Sequence, residues 1–412
     1  MSHSHQPRGQ RIKRWGLDEN PRALVEGTGE YPIMYRALGT EPQSAHPFNL
    51  YADISSQADA LRETFEHADE IEAAAEALAA RDLSAGVLGI GSGTSQFVGQ
   101  VANIALGSFA GVPSWDVDSL AYLQDHKPYD FARMAVMAYS GSGSTVDTVA
   151  ATRHAKEHGA YTVGFTSVDS SPVAELVHSK ILTAGGFDTG GSDTFHYTTR
   201  TAASVLLAVE LGARRNPGAH DFDALRAGLL STPKLFQEMF ATVDARCRTI
   251  ARQFHDVRAI LVVGAGANYG TAEEMALKFD EMAHIPAKPM VPGRHIHGAL
   301  GLTDERILTV IIAPAGGNSQ DELTAIARAT QMLKSPSVAV VSEGDSEISE
   351  LVDYVVRLPD IDATSFAVLA ALPAQLIPYY SGVELGFNPD TQRSNVPKHA
   401  RVWNMFFPPG TH

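Results

Sequence analysis

Residues 261–304 read LVVGAGANYGTAEEMALKFDEMAHIPAKPMVPGRHIHGALGLTD, and this stretch decides the fold. A short apolar strand ends in a glycine turn, a helix follows, and a loop then carries histidines and an arginine. On the helix, Glu274, Lys278 and Glu281 recur at i, i+4 and i+7, which places all three on one face. This charge spacing alone is typical of a helix face that is exposed to solvent. The glycine turn before the helix and the His/Arg loop after it instead favour a helix that forms the floor of a functional site.

Composition and charge limit the class of protein. A chain of 412 residues predicts two domains, and 44% hydrophobic with 19% charged residues is ordinary for a globular protein. No apolar run approaches the roughly 20 residues that span a bilayer. The N-terminus lacks the apolar segment of a secretory signal, so neither membrane nor export is expected. The single cysteine, Cys247, fits a reducing cytoplasm, and the net charge of −15 argues against nucleic acid as a partner.

Short apolar runs alternate with helical patterns in both halves of the chain; a helix is predicted at 51–80, for example, and a strand at 134–139. GIGSGTS at 89–95 and VGAGANY at 263–269 occupy the same place in each half, between a buried strand and a helix. This alternation predicts an α/β fold in which each half is a parallel sheet flanked by helices. The expected organisation is an N-terminal arm at 1–50, a first domain at 51–215, a linker helix region at 216–245, a second domain at 246–385, and a tail over the active site at 386–412.

A turn in the first half favours an anion. It reads SGSGSTVDT at 140–148 and opens a helix, where the dipole and the first N–H groups attract negative charge. Its run of hydroxyls predicts a cradle for a phosphate, or equally a sulfonate. A helix start in which Ser and Thr serve only as N-caps is the simpler alternative. Thr94 and Ser95 belong to a weaker version of the same turn and are expected near sugar hydroxyls.

These segments together resemble the SIS (sugar isomerase) family. SGSGSTVDT is similar to its phosphosugar-binding motif. Residues 261–304 resemble the G-A-G-x-x-Y, E-x-x-A-L-K-x-x-E and P-G-x-x-x-H-G-A-L segments of the isomerase half of glutamine:fructose-6-phosphate amidotransferases and related deglycases and deaminases. The resemblance covers residues 50–400 and implies two tandem SIS domains. The glutaminase domain of the amidotransferases has no counterpart in the sequence, so glutamine-dependent amination is not expected.

The resemblance implies a role for each matching residue. Glu281 falls on the carboxylate that moves a proton between C1 and C2, and His297 falls on the histidine that opens the sugar ring from the neighbouring subunit. Lys398 falls near the C-terminal lysine that reaches over the substrate. Contacts with the sugar or its anion are implied for Thr94, Ser95, Ser140, Gly141, Ser142, Thr145, Glu274 and Lys278.

The sequence departs from the family pattern in two loops. Asp193, Thr198 and Arg200 stand where the family has Glu, Ser and Lys. Arg294 and His295 stand where a glutamate and an apolar residue are usual. An arginine fork and additional imidazoles suit the recognition of an oxyanion. All five residues are therefore candidate substrate-binding residues, and a sulfosugar is an alternative to a sugar phosphate.

The predicted function is aldose–ketose isomerisation of a sugar with an anionic group at C6, by a homodimer or larger homo-oligomer. The reaction needs a base that moves a proton between two carbons and a group that polarises the carbonyl, and Glu281, His297 and Lys398 are suitable types. No cofactor or metal is expected, because the histidines at 284, 295 and 297 lack a ligand-type carboxylate cluster. The alternatives are a deglycase or deaminase of an amino-sugar or fructosamine phosphate at the same site, and a sugar-phosphate sensor.

Overall fold

Two parallel sheets form the centre of the protein in the computed structural model, which describes residues 43–125, 128–184 and 188–406. The strands of the first sheet are β1 (Gly86–Gly91), β2 (Ser114–Asp118), β3 (Met134–Tyr139), β4 (Tyr161–Thr166) and β5 (Ser179–Leu182). Those of the second are β6 (Ala259–Gly264), β7 (Ala287–Met290), β8 (Ile307–Ala313), β9 (Ser337–Ser342) and β10 (Tyr354–Leu358). The predicted fold class is confirmed.

Helices cover both faces of each sheet. The first half contains α1 (Asn49–Ser55), α2 (Gln57–Glu66), α3 (Ala68–Ala79), α4 (Thr94–Ala105), α5 (Ser119–Asp125), α6 (Val146–Glu157), α7 (Pro172–Leu176) and α8 (Phe195–Arg215). The rest of the chain contains α9 (Phe222–Leu230), α10 (Thr232–Phe254), α11 (Asn268–Lys278), α12 (Pro292–Ile296), α13 (Gln320–Leu333), α14 (Phe366–Glu384) and α15 (Pro397–Phe406). Short 3₁₀ helices lie at Phe131–Arg133 and Ala299–Leu302.

The two halves repeat one topology. The strand order is β2–β1–β3–β4–β5 in the first sheet and β7–β6–β8–β9–β10 in the second, with every pairing parallel. Helices α4 and α11 each continue into a π-helical turn, Leu106–Ala110 and Phe279–Ala283. A left-handed residue ends each turn, Gly111 in the first half and His284 in the second. The internal duplication predicted from the sequence therefore extends to an irregularity of the helix.

One continuous apolar core joins the halves. It runs from Phe48 to Tyr380 and includes residues of both sheets. All six residues of β1 and all six of β3 are buried, because helices lie on both faces of the sheet. Helices α8 and α14 are buried on all sides along most of their length and fill the space between the sheets. The halves therefore share this core, and each also has a smaller apolar cluster of its own.

Helix α14 is long and apolar enough to cross a membrane by length and composition. However, 94% of its most apolar window is buried inside the protein, which is the situation of a core helix.

The predicted linker helix region at 216–245 contains α9 and the first part of α10. Two other elements differ from the sequence analysis. The helix expected over 51–80 is broken at Ser56 and His67 into α1, α2 and α3. Strand β7 was not predicted, because its four residues form no apolar run and lie at the sheet edge. Of the predicted N-terminal arm, residues 1–42 lie outside the described residues.

Candidate active site

The first sheet forms a crevice at the carboxyl ends of β1 and β3. The chain leaves β1 for β2 on one side and returns to β3 on the other, and ligands of open parallel sheets bind at such a reversal. The turn after β3 is the predicted cradle, residues 140–145, and the turn after β1 carries Thr94 and Ser95. The structure thus brings the two hydroxyl-rich turns of the sequence to one edge.

The hydroxyls of the cradle do not cap the helix that follows. Thr145 is the N-cap residue of α6 and makes no side-chain capping hydrogen bond. Its hydroxyl lies 3.2 Å from that of Ser140, and the Ser144 hydroxyl donates to that of Ser142 at 2.9 Å. Gly143 has a φ of 64°, and a Cβ there would meet a neighbouring side chain at 2.0 Å. The conformation of the turn therefore requires glycine at this position. The hydroxyl groups of the turn lie together near the start of α6, where anions are stabilised.

Arg200 lies fully buried beneath the two turns. Its guanidinium donates to Ser95 Oγ at 2.7 Å, to the Asp193 carboxylate at 2.7 Å and to the His196 carbonyl at 2.8 Å. A Cβ placed on Gly141 would lie 3.5 Å from Arg200 Nη1, so the guanidinium packs directly under the cradle. Because the Ser95 oxygen accepts from Arg200, its own proton is directed elsewhere. In this conformation Arg200 contacts the turn after β1 through Ser95.

Two carboxylates surround the imidazole of His196 beside Arg200. Its Nδ1 lies 2.6 Å from Asp188 and 3.3 Å from Asp193. Burial by itself lowers the pKa of His196, but the two carboxylates outweigh burial and raise the pKa to about 9. Burial by itself raises the pKa of Asp193. The adjacent Arg200 guanidinium outweighs burial and lowers this pKa well below its usual range. The charges of Asp188 and Asp193 are therefore matched by those of His196 and Arg200 beneath the cradle.

Helix α11 of the second half reaches this edge through Thr94. The Thr94 hydroxyl donates to Glu274 Oε2 at 2.9 Å and accepts from Lys278 Nζ at 3.1 Å. Both charged side chains are fully buried. Burial raises the pKa of Glu274 to about 7, although Lys278 opposes the rise. Burial lowers the pKa of Lys278, but the carboxylates of Glu274 and Glu281 outweigh it and raise that pKa above its usual value.

Glu281 is the carboxylate of this helix face that reaches solvent, with 21% of its side chain exposed. Its Oε2 accepts from Lys278 Nζ at 2.8 Å and from Ser192 Oγ at 2.8 Å, while Oε1 makes no hydrogen bond to another described residue. Glu281 lies on the π-helical turn, which contacts α14 closely. A Cβ on Gly382 would lie 2.3 Å from the Met282 carbonyl oxygen. This backbone contact fixes the turn that aims Glu281.

Three residues of the network were not singled out in the sequence. Ser192, Asp188 and His196 all belong to the loop before α8 or to its first turn. The run GGSD at 190–193 was the available signal, because a glycine-rich loop with polar residues between a strand and a helix is a frequent ligand site. Their partners lie on other elements, so only the folded chain reveals their roles.

The loop after β7 is set apart from this network. Arg294 and His297 are exposed, and the imidazole of His297 makes no hydrogen bond to another described residue. His295 is fully buried, and neither of its ring nitrogens has a hydrogen-bond partner among the described residues. Burial lowers the pKa of His295.

Two further candidates also lie apart from the cradle. Lys398 is exposed on α15 and makes no hydrogen bond or ion pair with another described residue. Thr198 is buried in the core, where its hydroxyl donates to Gln57 Oε1 at 2.5 Å. The structure therefore places Thr198 between α8 and α2 and not in the crevice.

A family model for the SIS domain matches residues 86–210 and 253–383, which contain the two sheets and their turns, and the chain belongs to this family. A glutamine–fructose-6-phosphate aminotransferase (isomerizing) of Thermus thermophilus is 30% identical over 315 residues, which are 76% of this chain and 51% of that protein. The chain thus spans about half the length of the curated relatives it matches.

Solved structures share the fold at low sequence identity. The C-terminal domain of glucosamine-fructose-6-phosphate aminotransferase from Francisella tularensis superposes with a TM-score of 0.75 at 20% identity, over 83% of this chain and 98% of that one. Tagatose-6-phosphate ketose/aldose isomerase from Escherichia coli superposes with a TM-score of 0.70 at 18% identity, over 85% of this chain and 97% of that one.

Proposed function

We propose that the protein is an aldose–ketose isomerase for a sugar that carries an anionic group at C6. The observation that carries the proposal is the way Glu281 is held. Lys278 and Ser192 both donate to its Oε2, and Oε1 is left open at the edge that also holds the cradle. A carboxylate with one fixed and one open oxygen suits the removal of a proton from a bound carbon acid.

The chemistry divides between the two ends of the sugar. The cradle at residues 140–145 binds the anion through hydroxyls and the start of α6, which fixes the sugar against the base. Glu281 takes the proton from the carbon beside the carbonyl, which leaves an enediolate, and returns it to the former carbonyl carbon. The hydroxyl proton of the neighbouring carbon moves to the former carbonyl oxygen. Lys278 stays charged and holds Glu281 Oε2 by a hydrogen bond of 2.8 Å. His297 and Lys398 are assigned to ring opening and to the enediolate oxygen.

We further propose that His297 acts in the site of a second copy of the chain. The loop that carries it has an exposed apolar surface, formed by Val291 (36% exposed), Ile296 (40%), Leu300 (39%) and Leu302 (49%). An exposed apolar patch is typical of an interface, and a two-fold interface would exchange the same loop between both subunits.

Hydrogen–deuterium exchange tests the proton transfer. Wild-type protein is incubated in D₂O with paired aldose and ketose 6-phosphates, and separately with the 6-sulfonates, and the C1 and C2 protons are followed by NMR. We expect deuterium at these carbons and isomer formation with one of the two anions. Glu281→Gln should lower the rate by about 10³-fold or more with KM little changed. Asp280→Asn is the matched control, because Asp280 is exposed on the same turn. Exchange that survives Glu281→Gln would refute the assignment.

Two other outcomes identify the alternatives. Release of amine or ammonia from fructosamine phosphates or amino-sugar phosphates, without isomer formation, would indicate the deglycase or deaminase. Tight binding of a sugar phosphate without any exchange would indicate a sensor.

Mixed dimers test the exchange of His297. Glu281→Gln and His297→Asn chains are each prepared alone and then combined by unfolding and refolding. If His297 acts across the interface, a mixed dimer has one intact site and activity returns. If it acts within its own chain, the mixture stays inactive. Ile296→Glu should weaken the dimer, as measured by sedimentation, because it places a charge within the apolar patch.

A further inference from the structure

The tail that follows α14 is connected to the candidate base through Ser192, which lies between them. Gln392 Nε2 donates to the Gly191 carbonyl and, at 3.1 Å, to Ser192 Oγ. Ser192 Oγ in turn lies 2.8 Å from Glu281 Oε2. The tail lies beyond the second of the two segments that match the SIS model, which ends at residue 383. Gln392 of the tail, Ser192 of the loop before α8 and Glu281 are therefore joined in one chain of hydrogen bonds.

The direction of this hydrogen-bond chain is determined by its first member. The Gly191 carbonyl can only accept, so the amide nitrogen of Gln392 faces this pair of acceptors, and its second N–H points at Ser192 Oγ. A serine hydroxyl has one proton, and since the oxygen receives the Gln392 donor, the proton goes to Glu281. Lys278 supplies the second donor to the same oxygen. Both donors thus act on Oε2 and leave Oε1 to the substrate.

The backbone of the tail is strained where it presents this side chain. Gln392 has a φ of 44° and Arg393 a φ of 62°, so two consecutive non-glycine residues are left-handed. Such residues persist only where surrounding contacts hold them. Trp403 Nε1 donates to the Gln392 carbonyl at 3.3 Å, and the Arg393 guanidinium lies 5.4 Å from the centre of the Phe387 ring.

The other end of this turn is attached to the first half. The buried Asp390 carboxylate accepts from the backbone N–H groups of Asn49 at 3.0 Å and Leu50 at 2.8 Å. Hydrogen bonds to a carboxylate are among the stronger ones in proteins. The turn is therefore held at both ends, with Gln392 between them.

We propose that Gln392 is a positioning residue for proton transfer: by fixing the proton of Ser192 on Glu281 Oε2, it aims Oε1 at the sugar only when the tail is docked. The inference rests on the proposed role of Glu281 as the base. It makes the tail part of the machinery that sets the base, in addition to its carrying Lys398.

A double-mutant cycle tests the inference in the D₂O exchange assay. Gln392→Met removes both donors at similar volume, and Ser192→Ala removes the proton that Gln392 directs. We expect each to lower the exchange rate at saturating sugar about tenfold, with KM changed less than about threefold, and the double variant to be no slower than either. Ser192→Thr, which keeps the hydroxyl, should retain most of the rate. Arg401→Ala, on the exposed side of α15, is the control and should match wild type.

The pH profile separates positioning from a merely structural effect. A donor withdrawn from the carboxylate favours its protonated form, so the acid limb of the pH–rate profile should move to higher pH in Gln392→Met and Ser192→Ala. Wild-type rates in Gln392→Met, an unmoved acid limb, or a double variant that falls by the product of the two single losses would each overturn the inference. If wild-type protein shows no exchange at all, the proposed function fails and the inference fails with it. If Glu281→Gln is inactive while Gln392→Met matches wild type, only the inference fails.

Discussion

Arg200→Lys tests how the cradle is built. Arg200 donates to three acceptors on different elements at 2.7–2.8 Å and is fully buried. Lysine keeps the charge, but its single nitrogen cannot face three acceptors arranged around a planar guanidinium. Two hydrogen bonds from a charged donor should be lost, at about 1.5–3 kcal/mol each before relaxation. Since an ammonium recovers part of this energy at Asp193, we expect the free energy of unfolding to fall by about 2–4 kcal/mol.

The same variant should weaken binding of the anion. Without Arg200 the Ser95 hydroxyl is no longer held, and we expect KM to rise about tenfold, which corresponds to about 1.4 kcal/mol. Urea unfolding followed by circular dichroism measures the first effect and isomerase kinetics the second. Arg214→Lys is the matched control, because Arg214 lies on the same helix and pairs with Glu210 but is 31% exposed; a loss below about 1 kcal/mol is expected. Stability and KM both at the wild-type level in Arg200→Lys would contradict this account.

Three further predictions follow from buried contacts. In the folded protein the pKa of His196 is about 9, above its ordinary value of 6.5. Its ion pairs therefore stabilise the fold fully below pH 6.5 and lose this effect as the pH rises through 9. Between pH 6.5 and 9 the urea midpoint of the wild type should fall more steeply than that of His196→Asn. Gly382→Ala should destabilise by about 2 kcal/mol and reduce kcat, because the new methyl group meets the Met282 carbonyl, and normal thermal unfolding would contradict this. Thr198→Val should cost about 1–3 kcal/mol by leaving Gln57 Oε1 unpaired, with KM unchanged; a raised KM would show that Thr198 contacts substrate.

Strands were predictable where burial leaves a local signal. Strand β3, Met134–Tyr139, was placed to the residue, because a strand buried on both faces is a continuous apolar run between polar turns. Strand β7 has no such run, and only its pairing with β6 defines it. The breaks at Ser56 and His67 in the first long helical stretch are likewise invisible to helix propensity, because tertiary packing sets them.

The site was predictable where one segment carries its chemistry. The cradle and the charged face of α11 each lie within about ten residues, so spacing and turn type indicated them. Ser192 contacts Glu281 across 89 positions, and Gln392 contacts Ser192 across 200. No local pattern encodes such contacts. For the same reason, the contact between Arg200 and Ser95 across 105 positions could not be predicted.

The two halves contain equivalent glycine turns after β1 and β6. Gly91 and Gly264 end the equivalent strands β1 and β6, and a Cβ on either would meet the backbone four residues later. Two positions on, Gly93 and Gly266 have the same left-handed φ, 55° and 56°. The residues that follow differ: Thr94 and Ser95 in the first half correspond to Ala267 and Asn268 in the second.

The substitution of these two positions leaves the second turn without the donors of the first. The amide of Asn268 is turned into the fold, where it donates to the Ala363 carbonyl at 2.9 Å. Helix α11, which begins at this turn, instead presents Glu274 and Lys278 to Thr94 of the other half. The hydroxyl side chains thus lie on the turn of the first half, and the charged side chains that contact them come from the second half. Thr94 is the residue at which the two contributions join, because its hydroxyl forms hydrogen bonds with both Glu274 and Lys278 of the other half.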